Sequence, residues 1–140
     1  MSKQCLDVQQ MQHLQELGLE LDYNTMLSWI VDERGKDKPL LCISSEAVDY
    51  VDFCHYCIPA YTLQDVLDAL PKEIEIDNRK YSLIIEKDAV MYVNWIGKAQ
   101  MGWIWGEGKC INKFIPLIDY AYSMLVECIE NGYIKTNKNE

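Results

Sequence analysis

Cys54-His55-Tyr56-Cys57 is the stretch of this 140-residue sequence whose residue types and spacing come closest to chemistry. Two thiols two residues apart can grip one tetrahedral zinc ion, and the histidine between them could add an imidazole. A closed site needs further ligands, and Cys42, Cys110 and His13 stand isolated from any second half-site. The same spacing suits a redox dithiol, in which one thiol lowers the pKa of the other. That mechanism wants the first cysteine at a helix N-terminus, whereas this stretch runs on into Ile58-Pro59. The expectation is therefore that these are buried or half-buried strand residues. A small metal-binding protein using the Cys54/Cys57 pair is an alternative, and no metal ligand is assigned.

Other reaction classes leave fewer traces. Nucleophilic hydrolysis needs a Ser or Cys, a His and an orienting acid brought together in space. His13 and His55 are the two histidines, and no Gly-x-Ser-x-Gly elbow surrounds a serine. An enzyme working through His55 and a nearby cysteine is thus a minor alternative. Paired carboxylates occur at Asp49/Asp52, Asp65/Asp68 and Glu73/Glu75/Asp77. In a chain of net charge −9 such spacing is cheap, and a solvated face accounts for it. There is no P-loop, dinucleotide glycine fingerprint or EF-hand pattern. The sequence assigns no catalytic or cofactor-binding residue and no cofactor, and the reading is that the protein is not an enzyme.

The elements that would position these residues follow from periodicity and caps. Residues 3–17 read as a helix with Leu6, Val8, Met11, Leu14 and Leu17 as its apolar positions and Gly18 just past its end. Residues 25–33 read as a strand with Leu27, Trp29 and Val31 on one face. A polar turn at 34–38 leads to a return strand from Pro39 to Ser44, making a hairpin. Residues 45–58 are ambiguous: a helical turn at 45–51 and a strand at 53–58. Thr62 and Asp65 form a capping-box pattern for a helix at 62–70, whose stripe is Leu63, Val66, Leu67 and Leu70 and whose end is Pro71. Three alternating segments follow, around Tyr81-Leu83-Ile85, Met91-Val93-Trp95 and Met101-Trp103-Trp105, with Ile74 and Ile76 as an early start of the first. Short turns between them predict an antiparallel meander. A final helix over 116–131 has Pro116 in its first turn and Asn131-Gly132 at its close. Its stripe is Ile118, Tyr122, Leu125 and Ile129, with Ala121, Val126 and Cys128 flanking.

The pattern predicts an α+β fold. A largely antiparallel sheet of about five strands, hairpin plus three-stranded meander, carries two or three helices on one face. One domain over 1–134 is expected, with a polar tail at 135–140. Trp29, Trp95, Trp103, Trp105, Tyr81 and Tyr92 form an aromatic set in the strands. Core packing is the commoner use of such residues, and a binding platform of Trp95, Trp103 and Trp105 is the alternative.

Composition narrows the setting. At 49% hydrophobic residues the chain can bury a sizeable core. No apolar run approaches the roughly 18–20 residues of a membrane span, and the first residues lack the apolar core of a signal peptide. A soluble cytoplasmic protein is expected, and its six cysteines then read as reduced, packed thiols. Residues 1–77 hold 15 acidic against 5 basic side chains, and residues 78–140 hold 7 against 8. The acidic first half repels nucleic-acid phosphates and anionic membranes, so neither is an expected direct partner.

Four segments carry a resemblance. They are Gln10-Met11-Gln12-His13-Leu14-Gln15-Glu16-Leu17-Gly18, Met26-Leu27-Ser28-Trp29-Ile30, Pro59 through Ile74, and Ala121 through Ile134. As a set, in this order, they resemble a family of small uncharacterised proteins of bacteriophages and of prophage regions in gut bacteria. The resemblance covers a third to a half of the chain and lies in packing and capping motifs. It implies a phage accessory product acting inside a bacterial cell, and it brings no activity, cofactor or catalytic residue. The expected function is non-catalytic: binding a host or phage protein, or self-association. An acidic nucleic-acid mimic that inhibits a host DNA-handling protein is a further alternative.

Overall fold

The computed structural model describes residues 3–86, 89–96, 99–101 and 116–136. Helix α1 spans Val8–Glu16, strand β1 Leu27–Asp32, and β2 Leu40–Ile43. A short helix α2, Ser44–Ala47, runs into a 3-10 turn at Val48–Tyr50. Then come β3 His55–Pro59, α3 Leu63–Ala69, β4 Glu73–Ile76, β5 Arg79–Glu86, β6 Ala89–Ile96, β7 Ala99–Met101 and α4 Leu117–Glu130. The fold is α+β, and among the described residues every strand pairing is antiparallel. The strands form two sheets, ordered β2-β1-β3 and β4-β5-β6-β7.

Local sequence sets the helix ends. Thr62 caps α3 through Asp65 in a reciprocal capping box, as its spacing predicts. Asp7 does the same for α1 through Gln10, so that helix starts later than the expected residue 3. Both α1 and α4 close in the same way. Gly18 and Gly132 take positive φ, and the next residues donate backward, Leu19 to the Leu14 carbonyl and Tyr133 to that of Cys128. This satisfies carbonyls that the helix leaves unpaired. Pro116 stands at the N-cap of α4, one position before the first turn.

Two strand regions add to what the periodicity shows. Ile74 and Ile76 belong to a separate strand, β4, because Asp77 and Asn78 both adopt positive φ and turn the chain back within two residues. The ambiguous 53–58 region becomes β3, which pairs with β1 on the side away from β2. The first sheet is then covered on both faces. Trp29, Val31 and Tyr56 pack toward the main core, where the Trp29 indole donates to the Leu6 carbonyl (2.9 Å) and Gln12 of α1 donates to the Tyr56 hydroxyl (2.7 Å). Ser28 and Ile30, on the opposite face, are buried, and Ala47 of α2 is buried there with them. The Cys57 thiol points at the Ala47 carbonyl (3.8 Å), and Ser28 and Ser44 share a hydroxyl contact of 2.7 Å.

The main core draws on α1, β3, α3, β4 to β6 and α4, with Leu6, Met11, Leu14, Ile58, Val66, Tyr92 and Leu125 fully enclosed or nearly so. Met124 of α4 is buried too, so the buried face of this helix is broader than its predicted stripe. Tyr92 donates to the Pro71 carbonyl (2.7 Å), which satisfies a phenol that burial would otherwise penalise. Tyr81 and Tyr92 of the aromatic set are thus core residues and Trp29 is half-buried. The side chain of Trp95, all of Trp103 and Trp105, and Cys110 lie outside the described residues. Among the described residues, no helix is long and apolar enough to cross a membrane.

Candidate functional site

His55 sits at the first position of β3, and the register that pairs it with Asp32 of β1 brings a set of charged groups together. Asp32 ends β1 and its carboxylate is almost wholly buried. One oxygen accepts from the Arg34 backbone N–H (2.9 Å) and the Arg34 Nε (3.0 Å). The other accepts from the backbone N–H groups of Lys36 (3.2 Å) and Asp37 (2.9 Å). This one side chain thereby folds the β1–β2 turn around itself. The Arg34 guanidinium, with these N–H donors, holds the Asp32 carboxyl far below the usual carboxylate range.

Around His55 the two ring nitrogens face two carboxylates. Nδ1 lies 2.8 Å from Oδ1 of Asp52, and Nε2 lies 3.5 Å from Oδ2 of Asp37. The bond to Asp52 raises the imidazole pKa above its ordinary value, and Asp37 and Asp32 act in the same direction. Asp52 is lowered in turn, chiefly by His55. Asp52 also accepts from the Cys54 backbone N–H (2.8 Å), so it fixes the loop that leads into β3.

The sign of the pH response follows. Stability from the raised imidazole is complete below about pH 6.5, its ordinary pKa, and is lost as pH rises through the folded-state value. Stability from Asp52 is complete above about pH 4 and is lost as pH falls through its lowered value. The clasp is therefore strongest between these limits. In an NMR titration the His55 midpoint should lie above that of a free imidazole, and Asp52→Asn should lower it. A midpoint that Asp52→Asn leaves in place would remove Asp52 from this role.

The four residues of the expected Cys-His-Tyr-Cys constellation separate. Cys54 is half-buried before the strand, Cys57 is half-buried under α2, and burial pushes the Cys57 thiol pKa up. Among the described residues, the cluster of three or more potential ligands is Asp32, Asp37 and His55, with ligand atoms within 4.8 Å of one another, and it includes neither thiol. Cys5, Cys42, Cys54, Cys57 and Cys128 are free thiols, with Cys128 pushed up to about 11 by burial. His13 is exposed and meets Tyr122 edge-on at 6.5 Å. Of the paired carboxylates, Asp52 clasps His55, Asp65 caps α3 and Asp68 accepts from Gln64. Their spacing alone reads as a solvated face, and it does not single out Asp32 or Asp37. The available local signal was Asp52, three residues before His55.

Beside this cluster lies an apolar surface. Phe53 is fully exposed (102%), Val48 is 71% exposed and Val51 is 44% exposed. Leu40 and Ile43, on the edge strand from which this segment springs, are exposed as well. Residues 44–53 also carry Glu46, Asp49 and Asp52 and no basic side chain. Carboxylates gather at the other end of β1 too, where Glu20, Asp22, Asp65 and Asp68 line a cleft of about 280 Å³ with Leu19, Thr25, Tyr61 and Ala69. Compared with known proteins, the chain matches no family model, no curated protein and no solved structure.

Proposed function

We propose that this chain is a non-catalytic interaction protein that binds a basic, apolar-faced segment of another protein through residues 44–53. The observation that carries this reading is the complete exposure of Phe53 beside Val48 and Val51. Single exposed apolar side chains are ordinary. Three within six residues, on a segment anchored by Ala47 and by the Asp52–His55 contact, concentrate exposed apolar side chains on one short stretch. Burying one such side chain is worth about 1.5–3 kcal/mol. The carboxylates interleaved with them select the partner by charge, since a basic rim complements Glu46, Asp49 and Asp52. The resemblance to small phage and prophage proteins supports a bacterial cytoplasm as the setting and a host or phage protein as the partner.

The test is affinity capture from a bacterial lysate with wild-type bait and Phe53→Ser bait in parallel, at low and moderate salt. The expected result is one protein retained in near-stoichiometric amount by the wild type, reduced by the variant and weakened by salt. Equal retention by both baits would overturn the assignment of the surface. A second reading, an acidic mimic of nucleic acid, is favoured by the carboxylate-lined cleft at 19–25 and 61–69. It predicts a DNA-handling partner that salt releases and that Phe53→Ser leaves bound.

A further inference from the structure

We infer that His55 and Asp37, with Asp32 as the third ligand and Asp52 as the orienting group, form a site for a zinc-class divalent ion. The separation of 3.5 Å between Nε2 of His55 and Oδ2 of Asp37 is long for a charge-assisted hydrogen bond. It matches the edge of a tetrahedron around zinc, about 3.3–3.6 Å for metal–ligand bonds of about 2.0–2.2 Å. The other ring nitrogen, Nδ1, is held by the Asp52 carboxylate at 2.8 Å. A carboxylate on one imidazole nitrogen fixes the tautomer and leaves the other nitrogen's lone pair free for a metal. With Nδ1–H committed to Asp52, Nε2 gives up the proton that it otherwise shares with Asp37, and the ion takes that proton's place between the two ligand atoms. Imidazole with carboxylate oxygens suits zinc and its transition-metal neighbours better than magnesium or calcium.

Asp32 completes the group. Its ligand atom lies within 4.8 Å of those of Asp37 and His55. Both of its oxygens are engaged, one by Arg34, whose guanidinium also stands 4.0 Å from Asp37. Arg34 is the cation that this cluster holds without metal. Its side chain is 44% exposed and free to swing into solvent as the ion takes its place beside Asp32. Water fills the remaining position. The ion would then tie the β1–β2 turn to the loop before β3. The cysteines of the Cys54/Cys57 pair take no part.

The test is a titration of the reduced, chelator-stripped full chain with Co²⁺, read by absorption, and with Zn²⁺ in competition. The expected result is a one-to-one site with cobalt d–d absorption and no thiolate-to-metal charge transfer. Asp37→Asn, at a side chain that is 66% exposed, should weaken binding at least tenfold. Asp52→Asn should weaken it about 10–100-fold through the imidazole orientation. The Cys54→Ser/Cys57→Ser double variant should bind as the wild type does. A thiolate charge-transfer band, or Asp37→Asn binding with unchanged affinity, would overturn the site.

Discussion

Phe53→Ser should weaken binding of the captured partner about 30-fold or more while leaving the unfolding midpoint where it was. The two halves of this expectation have separate causes. A side chain that is fully exposed contributes no burial to the fold, and surface replacements of this kind usually move stability by less than about 0.5 kcal/mol. In a complex the same ring becomes the anchor. Truncating a central aromatic anchor typically costs about 2 kcal/mol or more, which is roughly 30-fold in affinity. Val48 and Val51 flank it on the same segment, so Val48→Ser should act in the same direction with a smaller effect. Titration calorimetry with the purified partner reads the first half, and urea unfolding the second. A Phe53→Ser protein that loses stability along with binding would place Phe53 in the fold instead.

The largest effect on stability is expected at Leu125. This residue is fully enclosed near the middle of α4, the helix that brings Ile118, Ala121, Met124, Cys128 and Ile129 to the main core. Leu125→Ala removes the buried methyl groups and leaves a cavity that the surrounding side chains only partly refill. The expected loss is about 2–5 kcal/mol. That is a large share of the roughly 5–15 kcal/mol by which such domains are stable. Equilibrium urea unfolding should show a lower midpoint with the slope unchanged, because the surface exposed on unfolding is nearly the same. A loss below about 1 kcal/mol would mean that α4 packs less tightly than its burial indicates.

How much of this was legible in the sequence depends on how local each instruction is. The capping box of Thr62 and Asp65, the glycines closing α1 and α4, and the stop at Pro71 are written within a few residues, and each lies where its chemistry puts it. The Asp77-Asn78 turn is equally local but escaped notice. Its residues lack the glycine that usually marks such a turn, and Asn and Asp reach positive φ only at a modest cost. The pairing of β3 with β1 is non-local. Nothing near residue 55 announces that Asp32 and Asp37 will stand beside it. The depth of burial along β1 is non-local too. Alternation puts Leu27, Trp29 and Val31 on one face, as found, but it does not tell that Ser28, Ile30 and Asp32 on the other face are the more deeply buried set, because α2 and the Asp32-centred turn cover them. The exposure of Phe53 could not be read at all, since an apolar residue between a turn and a strand is normally inside.

The most direct test of the interaction surface is hydrogen–deuterium exchange of the full chain, with and without the captured partner. Binding should slow exchange of the backbone amides of residues 44–53 and of the outer edge of β2, and leave the carboxylate-lined cleft unchanged. Protection confined to residues 19–25 and 61–69, with 44–53 exchanging as in the free protein, would contradict it and move the binding surface to the other end of β1.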